Sequence, residues 1–293
     1  MKNAIKASIC VVGAALSWGS IGLVQSFAQD SIPAFWIATL RLSIAAVFFL
    51  LYSCLAPGGL SFRFRIFKPI YLWVIFASLC LIANNVSFIF GVRSTGIAIG
   101  SVVTIGSAAI WAGVLSSALL HKEPNKNWWV GAILATVGAA VMVISQAYSW
   151  QVSFQGLVSC LFAGLCYAVF SVCSQRVVRE VSVTTGNLSI FIVAGGLALI
   201  LSLLLVPLPA VLRVTDWFVF GYLGVIATGV AFLLYNRALL SLNVRTAVTL
   251  TLFDPITSFL LAVLIAKEPL QWPALVALIF ILLGLGLVLH SEE

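Results

Sequence analysis

Runs of about twenty apolar residues, separated by short polar segments, dominate this chain of 293 residues. An α-helix needs about 20 residues to cross the hydrocarbon core of a bilayer. The runs that reach this length are 5–27, 34–56, 70–92, 96–120, 128–146, 154–175, 184–206, 217–236, 246–266 and 271–289. The longest segment between them, residues 57–69, is too short to fold as a domain. The sequence therefore predicts an all-α integral membrane protein whose functional site lies among its helices.

The composition excludes several classes of protein. Hydrophobic residues make up 62% of the chain and charged residues 8%, whereas about 25% of the residues of a soluble domain are charged. A soluble globular enzyme and a disordered chain are therefore ruled out. The 15 lysines and arginines are scattered between apolar runs and form no basic face, so we expect no nucleic acid as a partner. The partner that this composition requires is the lipid bilayer.

Neither a cofactor nor a metal ion is expected. The two histidines, His121 and His290, stand far apart, and none of the six cysteines forms a Cys-x-x-Cys pair. Metal sites and disulfide frameworks need clustered ligands or thiols. The sequence also lacks a glycine-rich nucleotide-binding loop, so it implies neither ATP hydrolysis by this chain nor an ATPase subunit.

The basic residues predict the orientation of the chain in the membrane. With the N-terminus inside, eleven lysines and arginines fall in the inner segments, and three fall in the outer ones, namely Arg93, Arg213 and Lys267. Because positive charges accumulate on the cytoplasmic side of membrane proteins, both termini are predicted to face the cytoplasm. Lys2 and Lys6 stand at the start of the first run, and no cleavage site follows it, which favours a membrane span over a signal peptide.

The sequence contains an internal repeat. Residues 121–124 read His-Lys-Glu-Pro, and residues 266–269, 145 positions later, read Ala-Lys-Glu-Pro. The two halves are predicted to be 1–147 and 148–293, with five spans each, forming one transport unit. Since five is an odd number, the second half is inverted relative to the first. Inverted repeats of this kind build alternating-access carriers, whose substrate site lies near the midplane where the halves meet.

These features resemble the drug/metabolite transporter superfamily, in particular its EamA-type branch. The residues that carry the resemblance are Trp18-Gly19 in the first run, Glu123 and Glu268 in the two repeated turns, Gly131 with Gly138, Gly284 with Gly286, and Pro255 in the ninth run. Ile110, at the position equivalent to Pro255, departs from the pattern in the first half.

The resemblance implies ten transmembrane helices in two inverted five-helix repeats, and a transporter rather than an enzyme. Members of this branch export amino acids and other metabolites, and the chain is similar to aromatic amino acid exporters of the bacterial inner membrane. The resemblance therefore implies a small-molecule substrate and a multi-pass protein of the bacterial cell inner membrane. A monomer is a possible state of this transport unit.

Two charged residues lie deep inside predicted spans. Arg41 lies in the second run and Asp254 in the ninth, and a charge at a helix centre costs about 2.5–3.5 kcal/mol on insertion scales. Neither is therefore expected to face lipid. Each is either a site for a substrate group or a coupling proton, or a structural charge that fixes helix packing, paired with the other or satisfied by backbone groups. Pro255 cannot donate to the carbonyl of Thr251, so we expect an opened helical turn beside Asp254.

Neutral polar and aromatic residues recur within the predicted spans. Asn84 and Asn85 are adjacent in the third run, and an amide in hydrocarbon needs a partner. Thr104, Ser107 and Trp111 share one face of the fourth run, which is typical either of helix packing or of a cavity wall. The candidate substrate-binding residues are Trp18, Asn84, Asn85, Phe88, Thr104, Ser107, Trp111, Tyr167 and Asp254.

Three hypotheses about function follow from these residues. The first is a secondary transporter that exports amino acids with aromatic or other apolar side chains through a central cavity. The second is an exporter of lipophilic cations or other drug-like solutes, with Asp254 as the counter-charge. The third, of a different class, is a passive facilitator or channel. An intramembrane enzyme is disfavoured because the spans hold one aspartate and no histidine to act as a catalytic pair.

The inverted repeat makes a prediction about topology. In a cysteine-free background, a membrane-impermeant maleimide applied to intact cells should label Lys267→Cys, whereas Lys122→Cys should react only after the membrane is permeabilised. Five spans separate the two lysines along the chain. Because five is an odd number, the two lysines must lie on opposite sides of the membrane. Labelling of both positions from the same side contradicts the inverted repeat.

Overall fold

The computed structural model describes residues 2–25, 27–29, 31–55, 68–95, 97–120, 123–144, 153–208, 212–265 and 272–291. Most of these residues are helical, and none of them forms a β-strand. The helices are α1 (Lys2–Gly19), α2 (Ile21–Gln25), α3 (Ala34–Leu55), α4 (Lys68–Thr95), α5 (Ile97–Leu120), α6 (Lys126–Ile144), α7 (Phe154–Glu180), α8 (Val183–Leu205), α9 (Val214–Gly224), α10 (Ala231–Ala238), α11 (Val244–Leu250), α12 (Phe253–Leu264) and α13 (Trp272–His290). A π-helical segment, Val225–Val230, joins α9 to α10.

The predicted all-α membrane fold is confirmed. Within the described residues, nine helical segments are long and apolar enough to cross a membrane. The remaining helix of the ten-helix arrangement is α6, whose 19 residues extend roughly 28 Å. The predicted boundary between the halves, at 147 and 148, lies outside the described residues, as do Lys122, Lys267 and Glu268.

The last helices of the two halves show the inverted arrangement. α6 and α13 pack antiparallel, with Gly131 close to Gly284 and, further along, Gly138 close to Ala277. At one end of this pair the Asn125 side-chain amide donates to the carbonyl of Ser291 at 3.3 Å. The start of α6 and the end of α13 therefore lie together. We call this the amino-terminal end of the bundle, because α1 begins there, and the other end the opposite end.

The packing between the halves repeats in the same way. In the first half α4 and α5 pack against α7, and in the second half α10, α11 and α12 pack against α1. α1 and α7 are each the first span of a half. Each packs against later spans of the other half. The two five-helix repeats are therefore interlocked.

Two spans of the second half depart from regular α-helix. In the eighth, the π-helical segment places the Thr228 hydroxyl where it donates to the carbonyl of Leu223, five residues earlier, at 2.7 Å. In the ninth, α11 ends at Leu250 and α12 begins at Phe253, so the opened turn expected before Pro255 is confirmed. The Thr251 carbonyl still accepts a bond from the backbone N–H of Asp254 at 2.9 Å. In the first half α5 runs without a break through Ile110, which stands at the position equivalent to Pro255.

A buried polar network ties together three helices of the second half near the amino-terminal end. The Gln175 side-chain amide donates to the carbonyls of Leu239 and Leu242 at 2.8 and 2.9 Å, where α10 has ended. Ser174 donates to the Asn236 side-chain oxygen at 2.9 Å, and the Asn236 amide donates to Asn187 of α8. These bonds satisfy polar groups that have no access to water in hydrocarbon.

The contact between α6 and α13 makes a prediction about stability. A methyl group at Gly284 would lie 2.5 Å from the backbone nitrogen of Ala135 and 2.6 Å from the carbonyl oxygen of Gly131. Gly284→Val should therefore lower the thermal unfolding midpoint of the detergent-solubilised protein, through an overpacking cost of about 1–3 kcal/mol.

Gly286 provides the matched control. It lies in the same helix, and a methyl group there meets nothing within 4 Å. Gly286→Val should leave the unfolding midpoint close to that of the unmodified protein, and equal losses for the two variants would show that helix propensity rather than close packing is responsible.

Candidate functional site

A cavity of about 110 Å³ lies between the two halves of the protein. Its walls come from α1, α2, α3, α4 and α5 of the first half and from α7, α10, α12 and the two irregular segments of the second half. The lining residues are Trp18, Ile21, Arg41, Leu42, Asn84, Asn85, Phe88, Thr104, Ile105, Tyr167, Thr228, Phe232, Thr251 and Asp254. The cavity therefore occupies the place that inverted repeats assign to a substrate.

Most of the residues singled out in the sequence meet in this cavity. Trp18, Arg41, Asn84, Asn85, Phe88, Thr104, Tyr167 and Asp254 all line it, although they come from six different spans.

The polar stripe of the fourth span divides between two roles. Thr104 lines the cavity, whereas Ser107 and Trp111 do not. The Ser107 hydroxyl donates to the Thr104 carbonyl at 3.1 Å and contacts Gly164 of α7, and Trp111 is half-buried against the core. Thr104 and Trp111 are about 10 Å apart along the helix, so the stripe is longer than the cavity wall. The part beyond the cavity packs against other helices.

Arg41 is held by the π-helical segment. Its Nε donates to the Thr228 hydroxyl oxygen at 2.6 Å, and that hydroxyl in turn donates to the carbonyl of Leu223 at 2.7 Å. In a regular α-helix a threonine hydroxyl bonds to a carbonyl three or four residues earlier. The π-helical turn instead directs the oxygen of Thr228 toward α3, where it accepts the guanidinium proton.

Asp254 lies in the first turn of α12, directly after the helix break. A carboxylate at a helix N-terminus is stabilised by the backbone N–H groups and the helix dipole. Ser258 Oγ lies 3.3 Å from Asp254 Oδ1 and 2.9 Å from the carbonyl oxygen of Gly19. The single proton of this hydroxyl serves either acceptor, so Ser258 joins the carboxylate to α1.

Arg41 and Asp254 do not form an ion pair with each other. Both residues line the same cavity, but no guanidinium nitrogen of Arg41 lies within 4 Å of a carboxylate oxygen of Asp254. The ion pair found in the described part of the chain joins Arg176 to Glu180 on α7, at 2.6 Å. In this structure Arg41 and Asp254 are therefore not arranged as a direct ion pair.

The adjacent asparagines of α4 point their donors in different directions. The Asn84 amide donates to the carbonyl of Ala163 on α7 at 2.9 Å, and the Asn85 amide donates to the carbonyl of Leu81 on its own helix at 2.8 Å. Neither side-chain carbonyl oxygen accepts a hydrogen bond from the residues that the structure describes. Both residues line the cavity, so they can offer two oxygen acceptors to a solute.

Aromatic rings form the wall of the cavity toward the amino-terminal end. The Trp18 ring contacts the rings of Tyr167, Phe232 and Tyr235, with centroid distances of 6.1, 5.2 and 5.6 Å. Phe170 contacts Phe232 at 5.4 Å. Phe170 and Tyr235 lie nearer that end of their helices than Tyr167 and Phe232 do. The aromatic layer therefore separates the cavity from the amino-terminal end of the bundle.

Sequence reasoning missed several lining residues. Thr228 and Thr251 are hydroxyl residues within apolar runs, and nothing in the sequence indicates that one binds Arg41 or that the other faces the cavity. Phe232, Ile21 and Leu42 are apolar residues in apolar runs. Their position in the cavity follows from helix rotation, which carries no sequence signal in a helix that is apolar on all sides.

Comparisons with known proteins agree with this fold. The sequence profile of the EamA-like transporter family matches residues 5–144 and again residues 154–290. The chain is 29% identical over 285 residues to the uncharacterized transporter YwfM of Bacillus subtilis (strain 168). The aligned region covers 95% of this chain and 92% of that protein. A crystal structure of another protein shares the fold with a TM-score of 0.82, at 19% identity and over 98% of this chain and 97% of that one.

The bond between Arg41 and Thr228 makes a prediction about stability. Thr228→Val removes the acceptor from a guanidinium inside the membrane span, and a hydrogen bond to a charged group contributes about 1.5–3 kcal/mol. The variant should therefore unfold at a lower temperature in detergent, while Thr228→Ser keeps the hydroxyl and should stay close to the unmodified protein.

A double-mutant cycle isolates this bond from other effects of the substitution. In an Arg41→Met background, Thr228→Val should cost much less than it does alone, because the guanidinium that needs the acceptor is gone. An equal cost in both backgrounds would assign the effect to the π-helical turn itself.

Proposed function

Because the chain belongs to the EamA-like transporter family, we propose that it is a secondary transporter that exports amino acids with aromatic or other apolar side chains across the bacterial inner membrane. Members of this family are transporters, so the chain is a membrane transporter and not an enzyme. The observation that carries the proposal is the cavity between the repeats, in which charged and amide groups lie beside aromatic rings.

The lining suits a small amphipathic solute. Binding sites for small molecules combine apolar walls with a few polar groups that orient the ligand. Here Trp18, Phe88 and Phe232 supply apolar surface, and Asn84 and Asn85 supply acceptors. At about 110 Å³ the cavity is smaller than the clefts of roughly 300–1,000 Å³ that hold drug-sized ligands, which favours a metabolite.

Two features support alternating access as the mechanism. The interlocked repeats give each half a symmetric partner against which it can rock. The aromatic layer closes the cavity toward the amino-terminal end. A solute can pass that end only after a conformational change separates the rings. The charge distribution supports a cytoplasmic position for this end, with eleven basic residues against three. Export then begins with opening of the aromatic layer and ends with release at the opposite end.

The lipophilic-cation hypothesis is disfavoured by Arg41. A cation bound at Asp254 would share a cavity of low polarity with a guanidinium, and like charges repel strongly where water is excluded. The aromatic layer disfavours a passive channel, because its rings pack against one another on the amino-terminal side of the cavity.

Counterflow in liposomes tests the proposal. Vesicles containing the purified protein are preloaded with unlabelled phenylalanine or leucine and diluted into the labelled amino acid. A carrier accumulates label transiently above the equilibrium level, whereas a channel does not. Lysine and glutamate serve as charged comparisons and should exchange much more slowly. Absence of counterflow for every amino acid, with retained uptake of a lipophilic cation, would favour the second hypothesis.

The asparagines make a prediction about transport. Asn84→Ala and Asn85→Ala each remove an acceptor from the cavity, and loss of one hydrogen bond of about 1–1.5 kcal/mol corresponds to about a tenfold lower initial rate. Trp111→Phe is the matched control, because Trp111 is in the same bundle but outside the lining, and it should keep close to the full rate. Normal transport by both alanine variants would place substrate binding elsewhere.

A further inference from the structure

We propose that Arg41 and Asp254 are the two poles of a zwitterion site, with Arg41 binding the carboxylate of the solute and Asp254 its ammonium group. This inference rests on the proposed function, and it states which chemical property of the solute the cavity selects.

The first observation is that two opposite charges lie in one cavity and remain apart. Among the described residues that line the cavity, Arg41 and Asp254 are the charged ones. A single charge of either sign would favour a solute of the opposite net charge. A direct ion pair would leave a neutral wall. Two separate charges of opposite sign favour a solute that carries both charges itself and is neutral overall.

The second observation is that each charge is held in place by its own partner. Arg41 Nε donates to Thr228 at 2.6 Å, and Thr228 is fixed by the π-helical turn of the eighth span. Asp254 is fixed by the first turn of α12, with Ser258 at 3.3 Å. Because opposite charges in a medium of low polarity attract strongly, these anchors oppose their collapse onto each other. The backbone that carries each anchor, on α12 and in the π-helical turn, therefore keeps the two charges apart.

The third observation is the binding capacity that these groups have left. A guanidinium has five N–H donors, and the bond to Thr228 uses the one on Nε. The donors on the two terminal nitrogens form a planar fork that matches a carboxylate. Asp254 Oδ2 accepts no hydrogen bond from the described part of the chain, and it can accept one from an ammonium group. The free carbonyl oxygens of Asn84 and Asn85 are further acceptors for ammonium protons.

The fourth observation is the apolar surface beside the poles. Trp18, Phe88 and Phe232 line the same cavity as the two charges. An α-amino acid carries its ammonium and carboxylate on one carbon atom, with the side chain leaving from that carbon. Such a solute can bridge the poles and place an apolar side chain against the rings.

Loss of either charge from the solute should therefore weaken binding sharply. An amine leaves the Arg41 fork unpaired, and a carboxylic acid leaves Asp254 unpaired. Sites built to bond a polar group reject an analogue that lacks it, because their own buried groups then stay without a partner.

The test is a competition series in the unmodified protein. Proteoliposomes are assayed for counterflow of labelled phenylalanine in the presence of unlabelled phenylalanine, phenethylamine, which lacks the carboxylate, or 3-phenylpropanoate, which lacks the ammonium group. We expect phenylalanine to compete at least about tenfold better than either analogue. Equal competition by the amine overturns the role of Arg41, and equal competition by the acid overturns that of Asp254. In both cases amino acid transport, and with it the proposed function, stands.

Two charge-removing variants assign each pole to its residue. Arg41→Gln should reduce the preference for phenylalanine over phenethylamine by about tenfold, and Asp254→Asn should reduce the preference over 3-phenylpropanoate by a similar factor. Arg176→Gln and Glu180→Gln remove the same kinds of charge from the exposed ion pair of α7, and both preferences should stay unchanged. Preferences that remain the same in all four variants overturn the proposal.

Folding of the variants is measured separately from selectivity. Ligand-induced thermal stabilisation in detergent, with phenylalanine and the two analogues as ligands, reports binding in any variant that elutes as a single species. The competition series needs no variant at all, so the proposal can be overturned even if neither substitution is tolerated. If phenylalanine and leucine both fail to show counterflow, the proposed function and this inference fall together.

Discussion

In hydrocarbon no water molecule is available to a backbone N–H or C=O group, and the whole structure depends on this constraint. It forces every crossing segment into helix, and it allows irregular backbone only where protein or a cavity surrounds it. The two irregular segments of the second half obey that rule. The π-helical segment Val225–Val230 and the break between α11 and α12 both border the central cavity. In these two spans the irregular backbone thus lies beside polar residues that line the cavity.

The same constraint explains how the helices associate. Lipid tails are as apolar as the helix surfaces, so burial of apolar area gives little preference for helix contact, and close packing decides instead. Gly131 and Gly284 bring the backbones of α6 and α13 together, and Gly164 lets Ser107 approach α7. Small residues at these contacts allow the two repeats to interlock without large side chains between them.

The repeats are symmetric in architecture but not in chemistry. α5 and the ninth span are equivalent, yet α5 is continuous whereas the ninth span is broken next to Asp254. The eighth span carries the π-helical turn that holds Arg41, while its equivalent, α4, is helical from Lys68 to Thr95. The first half contributes the guanidinium and the two amides, and the second contributes the carboxylate and the π-helical turn. A site built from unlike halves can distinguish the two ends of an unsymmetrical solute.

The sequence by itself determined the class of fold, the number of spans, their inversion and the position of the helix break, because apolar length, charge distribution and the missing N–H of Pro255 act locally. It also identified Arg41, Asp254 and the asparagines as unusual, since polar groups in hydrocarbon need a partner. Only the tertiary structure decided that Thr228 is the partner of Arg41, that Arg41 and Asp254 stay apart, and that Thr104 faces the cavity while Trp111 does not. These outcomes depend on helix rotation and on contacts between distant spans, which a helix that is apolar on all sides does not encode in its own sequence.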